Sequence, residues 1–167
     1  MPSSLPRHPI VDTQAQATRQ ATLVVDGLVA QPRRLGPADL AALPRATLTV
    51  AFTCEEGWSV PGLRWGGVRL LDVLALAQPR SEARYVRAGA GPFVVPLSLD
   101  EAAQALVTDR LNDQPLSVEH GAPWRLVVPG GVCYSSVKWL ARLELTAEPG
   151  EHDARRIALA RVQPREQ

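Results

Sequence analysis

In the stretch FTCEEGWSV, the β-branched run ATLTVAFT breaks into charge at Cys54, which is followed at once by Glu55, Glu56, Gly57 and Trp58. Rigid elements hand residues to functional loops at such strand ends. A thiol there has four fates: nucleophile, metal ligand, half of a disulfide, or inert buried residue, since free cysteines are among the most buried residue types. A nucleophile needs a base, and His120 in EHGAP is the only histidine away from the termini, so a metal-free thiol enzyme using Cys54 and His120 is one reading. Zinc is disfavoured, because Cys54 and Cys133 lie 79 positions apart with no close-spaced second ligand beside either. Glu55 and Glu56 have the chemistry of acid/base groups, though adjacent loop carboxylates are more often simply solvated. The stretch GVCYSSVK sets glycine, hydroxyls and Lys138 together, a pattern that can present N–H groups and positive charge to an anion. It lacks the spacing of a nucleoside triphosphate loop. Trp58, Trp65, Trp124 and Trp139 read as core or loop anchors rather than a stacking platform.

These residues sit in a chain whose bulk properties exclude several functions. At 167 residues and 46% hydrophobic content it fits a single domain with its own core. Its 18 basic and 17 acidic residues leave a net charge of +1, so composition gives no basic face for nucleic acid. Lys138 is the one lysine among those basic residues. Two cysteines are too few for a disulfide scaffold, the N-terminus has no apolar signal-peptide segment, and no apolar run approaches the ~20 residues that span a bilayer. Together these predict a cytoplasmic chain with free thiols and no membrane span.

Positioning falls to a series of short elements. Residues 1–20 are polar and carry three prolines, and read as a lead-in. ATLVVDGLVA predicts a short strand and a bend at Asp26 and Gly27 leading into a second run. GPADLAALP predicts a two-turn helix with Pro37 at its first position, and ATLTVAFT a strand. VPGLRWGGV reads as a glycine-rich turn before a helix at about Val68 to Ala77. ARYVRAG and PFVVPL predict two strands joined at GAGP, and Ser98 with Glu101 is a capping-box pattern opening a helix. VTDRL, WRLVVP and RLELTA complete the strands, with a turn at NDQP and a helical or turn segment at SSVKWL. Irregular interleaving of strands and short helices favours an α+β or mostly β domain over a doubly wound one. The charged tail, 148–167, holds RRIALARV, which suits a docking helix or strand.

Taken in order, three stretches resemble the molybdopterin-binding catalytic domain of the sulfite oxidase superfamily: TCEEGWSVPGLRWGG, the block from LNDQPL to EHGAPWRLVVP, and SSVKW before the last strand. The resemblance runs over residues 21–147. It implies an α+β fold of the sulfite oxidase type, with mixed β-sheets and short helices in a single domain, holding a molybdenum–molybdopterin cofactor. It also implies two-electron oxygen-atom transfer on a small molecule of the sulfite or sulfoxide kind. Cys54 matches the family's molybdenum-ligating thiolate, a soft donor suited to a sulfur-rich metal site. Gly89, His120, Arg125, Ser136, Val137 and Lys138 match cofactor-holding positions, and Glu56 and Tyr134 fall beside the reacting centre. Arg64, Arg87 and Tyr134 are candidates for substrate contact. Electrons would pass to or from an external partner such as a haem protein. The resemblance also leaves room for a non-catalytic molybdopterin-binding module. Glu55 and Cys133 depart from the family pattern, and no role follows for either.

Overall fold

In a computed structural model, which describes residues 21–53, 59–130, 136–153 and 155–156, the described residues form ten strands in two sheets with three short helices. The lead-in at 1–20, Cys54, Glu55, Glu56, Cys133, Tyr134 and the chain beyond Arg156 lie outside the described residues. The first sheet runs β2 (Arg33–Leu35), β1 (Leu23–Gly27), β10 (Arg142–Thr146), β5 (Tyr85–Ala90), β6 (Phe93–Ser98), with β1 parallel to β10 and the other pairs antiparallel. The second runs β3 (Arg45–Thr53), β4 (Ser59–Arg69), β7 (Leu106–Leu111), β8 (Gln114–Pro115), and β9 (Arg125–Val127) also pairs with β7. The helices are α1 (Pro37–Ala41), α2 (Leu70–Ala75) and α3 (Leu99–Ala102). Among the described residues, no helix is long and apolar enough to cross a membrane.

Local chemistry explains most boundaries. Pro37 opens α1, and the Gly36 N–H is accepted by Asp39 Oδ2 at 2.8 Å. Ser98 and Glu101 close the expected capping box on α3, with Ser98 N–H donating to Glu101 Oε2 at 2.7 Å and Glu101 N–H to Ser98 Oγ at 3.2 Å. Asn112 and Asp113, with φ of 49° and 65°, turn β7 into β8 at the NDQP signal. After Gly27 the partner that returns along β1 is β2, not the LVA run, and Val29 instead bridges to Pro79.

The stretch VPGLRWGGV is strand, not turn. It forms most of the eleven-residue β4, paired along both edges to β3 and β7. Gly67 answers to close approach, since a methyl on it would overlap the Val107 carbonyl where the β4–β7 register shifts between Gly66 and Gly67, whereas Gly62 answers to a φ of 68°. Glycine at a bulge lets neighbouring backbone pass where any side chain would collide.

Two apolar clusters follow. The larger includes Leu23, Val25, Leu70, Leu74, Val86, Leu97, Leu126, Val137 and Leu143, and the smaller joins Val60, Leu63, Trp65, Leu116 and Val127. Strand alternation on β9 sends Leu126 into the larger cluster, and Val127, on the opposite face, into the smaller. Arg125 shares the face of Val127, and its guanidinium lies over Trp65 of that smaller cluster.

Candidate cofactor site

The site is built where β9, the turn before it and the segment 136–140 meet. Ser117 caps a 3-10 turn, Val118–His120, which Gly121 ends in the left-handed region at φ 115°. An added Cβ at Gly121 would stand 3.0 Å from Lys138 Cα and 3.2 Å from Arg125 Cβ, so only glycine lets these three backbones converge. The Leu126 N–H donates to the Val137 carbonyl at 2.9 Å and the Trp139 N–H to the Gly121 carbonyl at 3.2 Å, which fixes the later segment beside β9. Trp139 Nε1–H then reaches back to the Val118 carbonyl at 2.8 Å.

Arg125 is the centre of the arrangement and is 3% exposed. Its Nε–H donates to Ser136 Oγ at 2.8 Å, an Nη1 hydrogen donates to the His120 carbonyl at 3.1 Å, and its guanidinium lies 5.0 Å from the Trp65 ring centroid. Ser136 Oγ in turn donates to the Leu126 carbonyl at 3.0 Å. Lys138 Nζ donates to the Glu119 carbonyl at 2.9 Å and lies 5.6 Å from the Trp139 ring centroid. His120 Nδ1 and Ser117 Oγ are 2.9 Å apart. Of the six expected cofactor-holding positions other than Cys54, the fold therefore gathers His120, Arg125, Ser136, Val137 and Lys138. The Val137 side chain is fully buried in the larger core, which leaves its backbone as the part able to face a ligand. Gly89 lies inside the first sheet, where its carbonyl accepts the Ala141 N–H at 2.9 Å.

The two arginines considered for substrate contact have partners elsewhere. Arg64 is exposed and pairs with Asp113 at 3.1 Å. Arg87 donates to the carbonyls of Pro149 and Glu151 and lies 3.9 Å from Glu144. Both contacts tie surface segments together.

Electrostatics mark the cluster as a place for an anion. Burial, followed by the positive charge of Arg125, pushes the Lys138 ammonium down from 10.5 to about 8. No carboxylate pairs with Lys138 among the described residues. Burial and the neighbouring guanidinium both disfavour the Lys138 ammonium, and a negative charge brought beside it would favour it again. In the ligand-free chain the unfolded state holds the Lys138 proton between about pH 8 and 10.5 while the folded state releases it, so folding stability rises as pH climbs through that window. A bound anion pulls the folded value back up, which gives anion binding the opposite slope. Affinity for inorganic phosphate should fall above about pH 8, by at most about 10-fold per pH unit for one linked proton. Calorimetric titration of phosphate from pH 6.5 to 10 checks this, and Lys138→Met should remove the step.

Sequence reasoning missed several members of the site. Trp65 is fully buried beneath Arg125, and its Nε1–H finds no acceptor among the described residues. An unmet buried donor costs about 1–3 kcal/mol, so its place beside the cation cluster suits a ligand rich in acceptors. Ser117 and Gly121 were silent, while Trp65 and Trp139, read as core or loop anchors, are buried as expected but gave no sign of lying against Arg125 and Lys138. Ser-x-x-His-Gly is the one local signal that could have found the capped turn.

Comparison with known proteins adds the rest. The model of the oxidoreductase molybdopterin binding domain matches residues 8–154. Sulfite oxidase of Arabidopsis thaliana is 29% identical over 86% of the chain and 45% of its own length. The uncharacterized oxidoreductase YuiH of Bacillus subtilis is 36% identical over 75% of the chain and 65% of its length. The crystal structure of the sulfane dehydrogenase SoxCD from Paracoccus pantotrophus superposes with a TM-score of 0.72 at 26% identity, over 86% of this chain and 41% of that one. The chain thus spans less than half of the sulfite oxidase and SoxCD chains and just under two thirds of YuiH.

Proposed function

The chain belongs to the oxidoreductase molybdopterin-binding domain family, with the sulfite-oxidase-type fold and a molybdenum–molybdopterin cofactor, and we propose that it catalyses two-electron oxygen-atom transfer on a small sulfite- or sulfoxide-like molecule. The observation that carries this reading is the convergence of Arg125, Ser136, Lys138 and the His120 turn, in which burial and the neighbouring guanidinium lower the Lys138 ammonium that a phosphate-bearing cofactor would favour. The residues present suit such a group by type: a guanidinium, an ammonium, a hydroxyl and an imidazole, beside an indole N–H with no acceptor among the described residues. When bound, the molybdenum centre supplies the two-electron redox and oxygen-transfer chemistry.

The chain's own residues hold and orient. Arg125 and Lys138 bind the phosphate end, Ser136 keeps the guanidinium plane fixed, and the Val137 backbone and His120 add hydrogen bonds. Cys54 belongs to the link between Thr53 and Ser59, the paired ends of β3 and β4, and serves as the metal's protein ligand. Glu56, in the same link, and Tyr134, in the link between Gly130 and Ser136, are assigned catalytic roles by the family resemblance. Gly89, paired on both edges inside the first sheet with its carbonyl held by the Ala141 N–H, would lie near the cofactor as part of β5 rather than bond it. Electrons leave or arrive through an external carrier such as a haem protein.

Protein purified from a molybdenum-competent host should contain close to one molybdenum and one pterin per chain, measured by elemental analysis and pterin fluorescence. It should also turn over sulfite or a sulfoxide with an artificial electron carrier. Hydrolytic activity that depends on Cys54 and persists without molybdenum or pterin would sink the proposal in favour of the thiol enzyme.

A further inference from the structure

Four consecutive carbonyls of the turn from Val118 to Gly121 each take a hydrogen bond from the residues gathered against it. Val118 accepts the Trp139 indole N–H at 2.8 Å, Glu119 the Lys138 ammonium at 2.9 Å, His120 the Arg125 guanidinium at 3.1 Å, and Gly121 the Trp139 backbone N–H at 3.2 Å. Trp139 supplies the first and the last of these, so it brackets the place where Lys138 lands. It does so from a backbone that glycine takes readily and a bulky residue does not: φ at Trp139 is 54°, in the left-handed region, and the side chain is buried. On an extended chain the neighbours Lys138 and Trp139 would point to opposite sides. The left-handed bend brings both to the same turn, with the ammonium 5.6 Å from the indole centroid and the indole edge pinned to Val118. A side chain held against its backbone preference persists only where its surroundings over-determine it, and such positions cluster at functional sites.

We propose that Trp139 is a positioning residue whose indole, pinned by its N–H, is a shelf that holds the Lys138 ammonium against the turn, beside Arg125, for an anion of the phosphate kind. That the anion belongs to the cofactor rests on the function proposed above; the shelf does not. A lysine stem has four flexible bonds, and ordering it as a ligand binds would weaken that binding. With the indole face on one side and the Glu119 carbonyl ahead, the ammonium is ordered before the ligand arrives. The shelf also takes water from one side of the ammonium, in keeping with burial as the larger cause of its fall from 10.5 to about 8.

Lys138 is the single lysine of the chain, so lysine-selective labelling of the full-length protein gives one side-chain NMR signal to titrate. The titratable groups of the elements packed against it are Arg125 on β9 and Glu119 and His120 on the turn, and all three stay in place in the variants. Wild-type Lys138 should titrate near about 8. Trp139→Gly takes the left-handed backbone freely and removes the shelf, so the midpoint should rise toward 10.5. Its affinity for inorganic phosphate at pH 7 should fall on the order of 10-fold. The ammonium is charged at that pH in every variant, so the loss reads position and not protonation. Trp139→Phe keeps a ring and loses only the bond to Val118; it should lie between wild type and glycine in both readouts, and it serves alone should the glycine variant not fold. A wild-type Lys138 titrating near 10.5 overturns the shelf. So does a folded Trp139→Gly, or a Trp139→Phe, that matches wild type in both midpoint and phosphate affinity. Bound pterin should leave the glycine variant on dialysis on the order of 10-fold faster, and unchanged retention with a displaced Lys138 overturns the role toward the cofactor. Wild-type chain that carries no pterin or molybdenum, while the lysine and phosphate readouts hold, sinks the functional reading and leaves the shelf.

Discussion

Cys54→Ser is expected to lower molybdenum-dependent turnover by at least about 100-fold, the upper end of what loss of a group supporting a metal ligand costs, since here the ligand itself is replaced. The physical reason is donor softness and acidity together. A thiol ionises near pH 8.5 and a metal lowers that further, so sulfur arrives at the site as an anion; a serine hydroxyl stays protonated and offers a hard, neutral oxygen. The substitution leaves Arg125, Ser136 and Lys138 unchanged, and these come from β9 and the segment 136–140. Pterin content should therefore stay within about 3-fold of wild type while molybdenum content and turnover collapse. Parallel metal analysis, pterin fluorescence and turnover measure the split. Turnover that survives in the serine variant would remove Cys54 from the metal.

What could be read from the sequence and what could not separates along a physical line. Local signals carried well. Pro37 at the start of α1, the Ser98–Glu101 box on α3 and the Asn112–Asp113 turn each act through atoms within four residues of one another, and each forms as expected. The error at β4 is of another kind. Pro61, Gly62, Gly66 and Gly67 have the composition of a turn, yet Gly67 is there because the β7 backbone crosses where its Cβ would be, a fact that resides in Val107, forty positions away. Glycine density reports that backbone freedom or space is needed; it does not say which.

The site divides similarly. The residues proposed for it were chosen by type and by resemblance, but the contacts around Arg125 and Lys138 could not be. Ser136 meets Arg125 because Leu126 and Val137 pair, and Lys138 meets Glu119 because Gly121 has no side chain to hold them apart. Trp65 comes to Arg125 from a different strand altogether, through the β4–β7–β9 order of the second sheet. No spacing rule encodes an encounter set by sheet order.

Arg125→Ala is expected to have the second large effect, and it tests the anion site through three readouts that move in different directions. Pterin retention should fall by at least about 100-fold, because the fork that can make two charge-assisted bonds to a phosphate is gone. Folding stability should change by about 1–3 kcal/mol, the range expected of an ordinary core truncation, and leave the chain folded. Loss of the Trp65 stack and of the bonds to Ser136 and His120 opposes relief from burying a cation beside another. The Lys138 ammonium should titrate higher than about 8 but short of 10.5, since burial, the larger cause of its depression, remains while the neighbouring charge does not. The pH at which phosphate affinity begins to fall would move upward accordingly. Arg125→Lys separates charge from shape: a lysine keeps Lys138 depressed but cannot bond Ser136 Oγ and the His120 carbonyl while lying flat on Trp65, so pterin retention should remain poor although the pH step stays near about 8. An alanine variant that retains pterin as wild type does, or leaves the Lys138 titration where it was, would mean that the guanidinium supports the fold and that the cofactor's phosphate is held elsewhere.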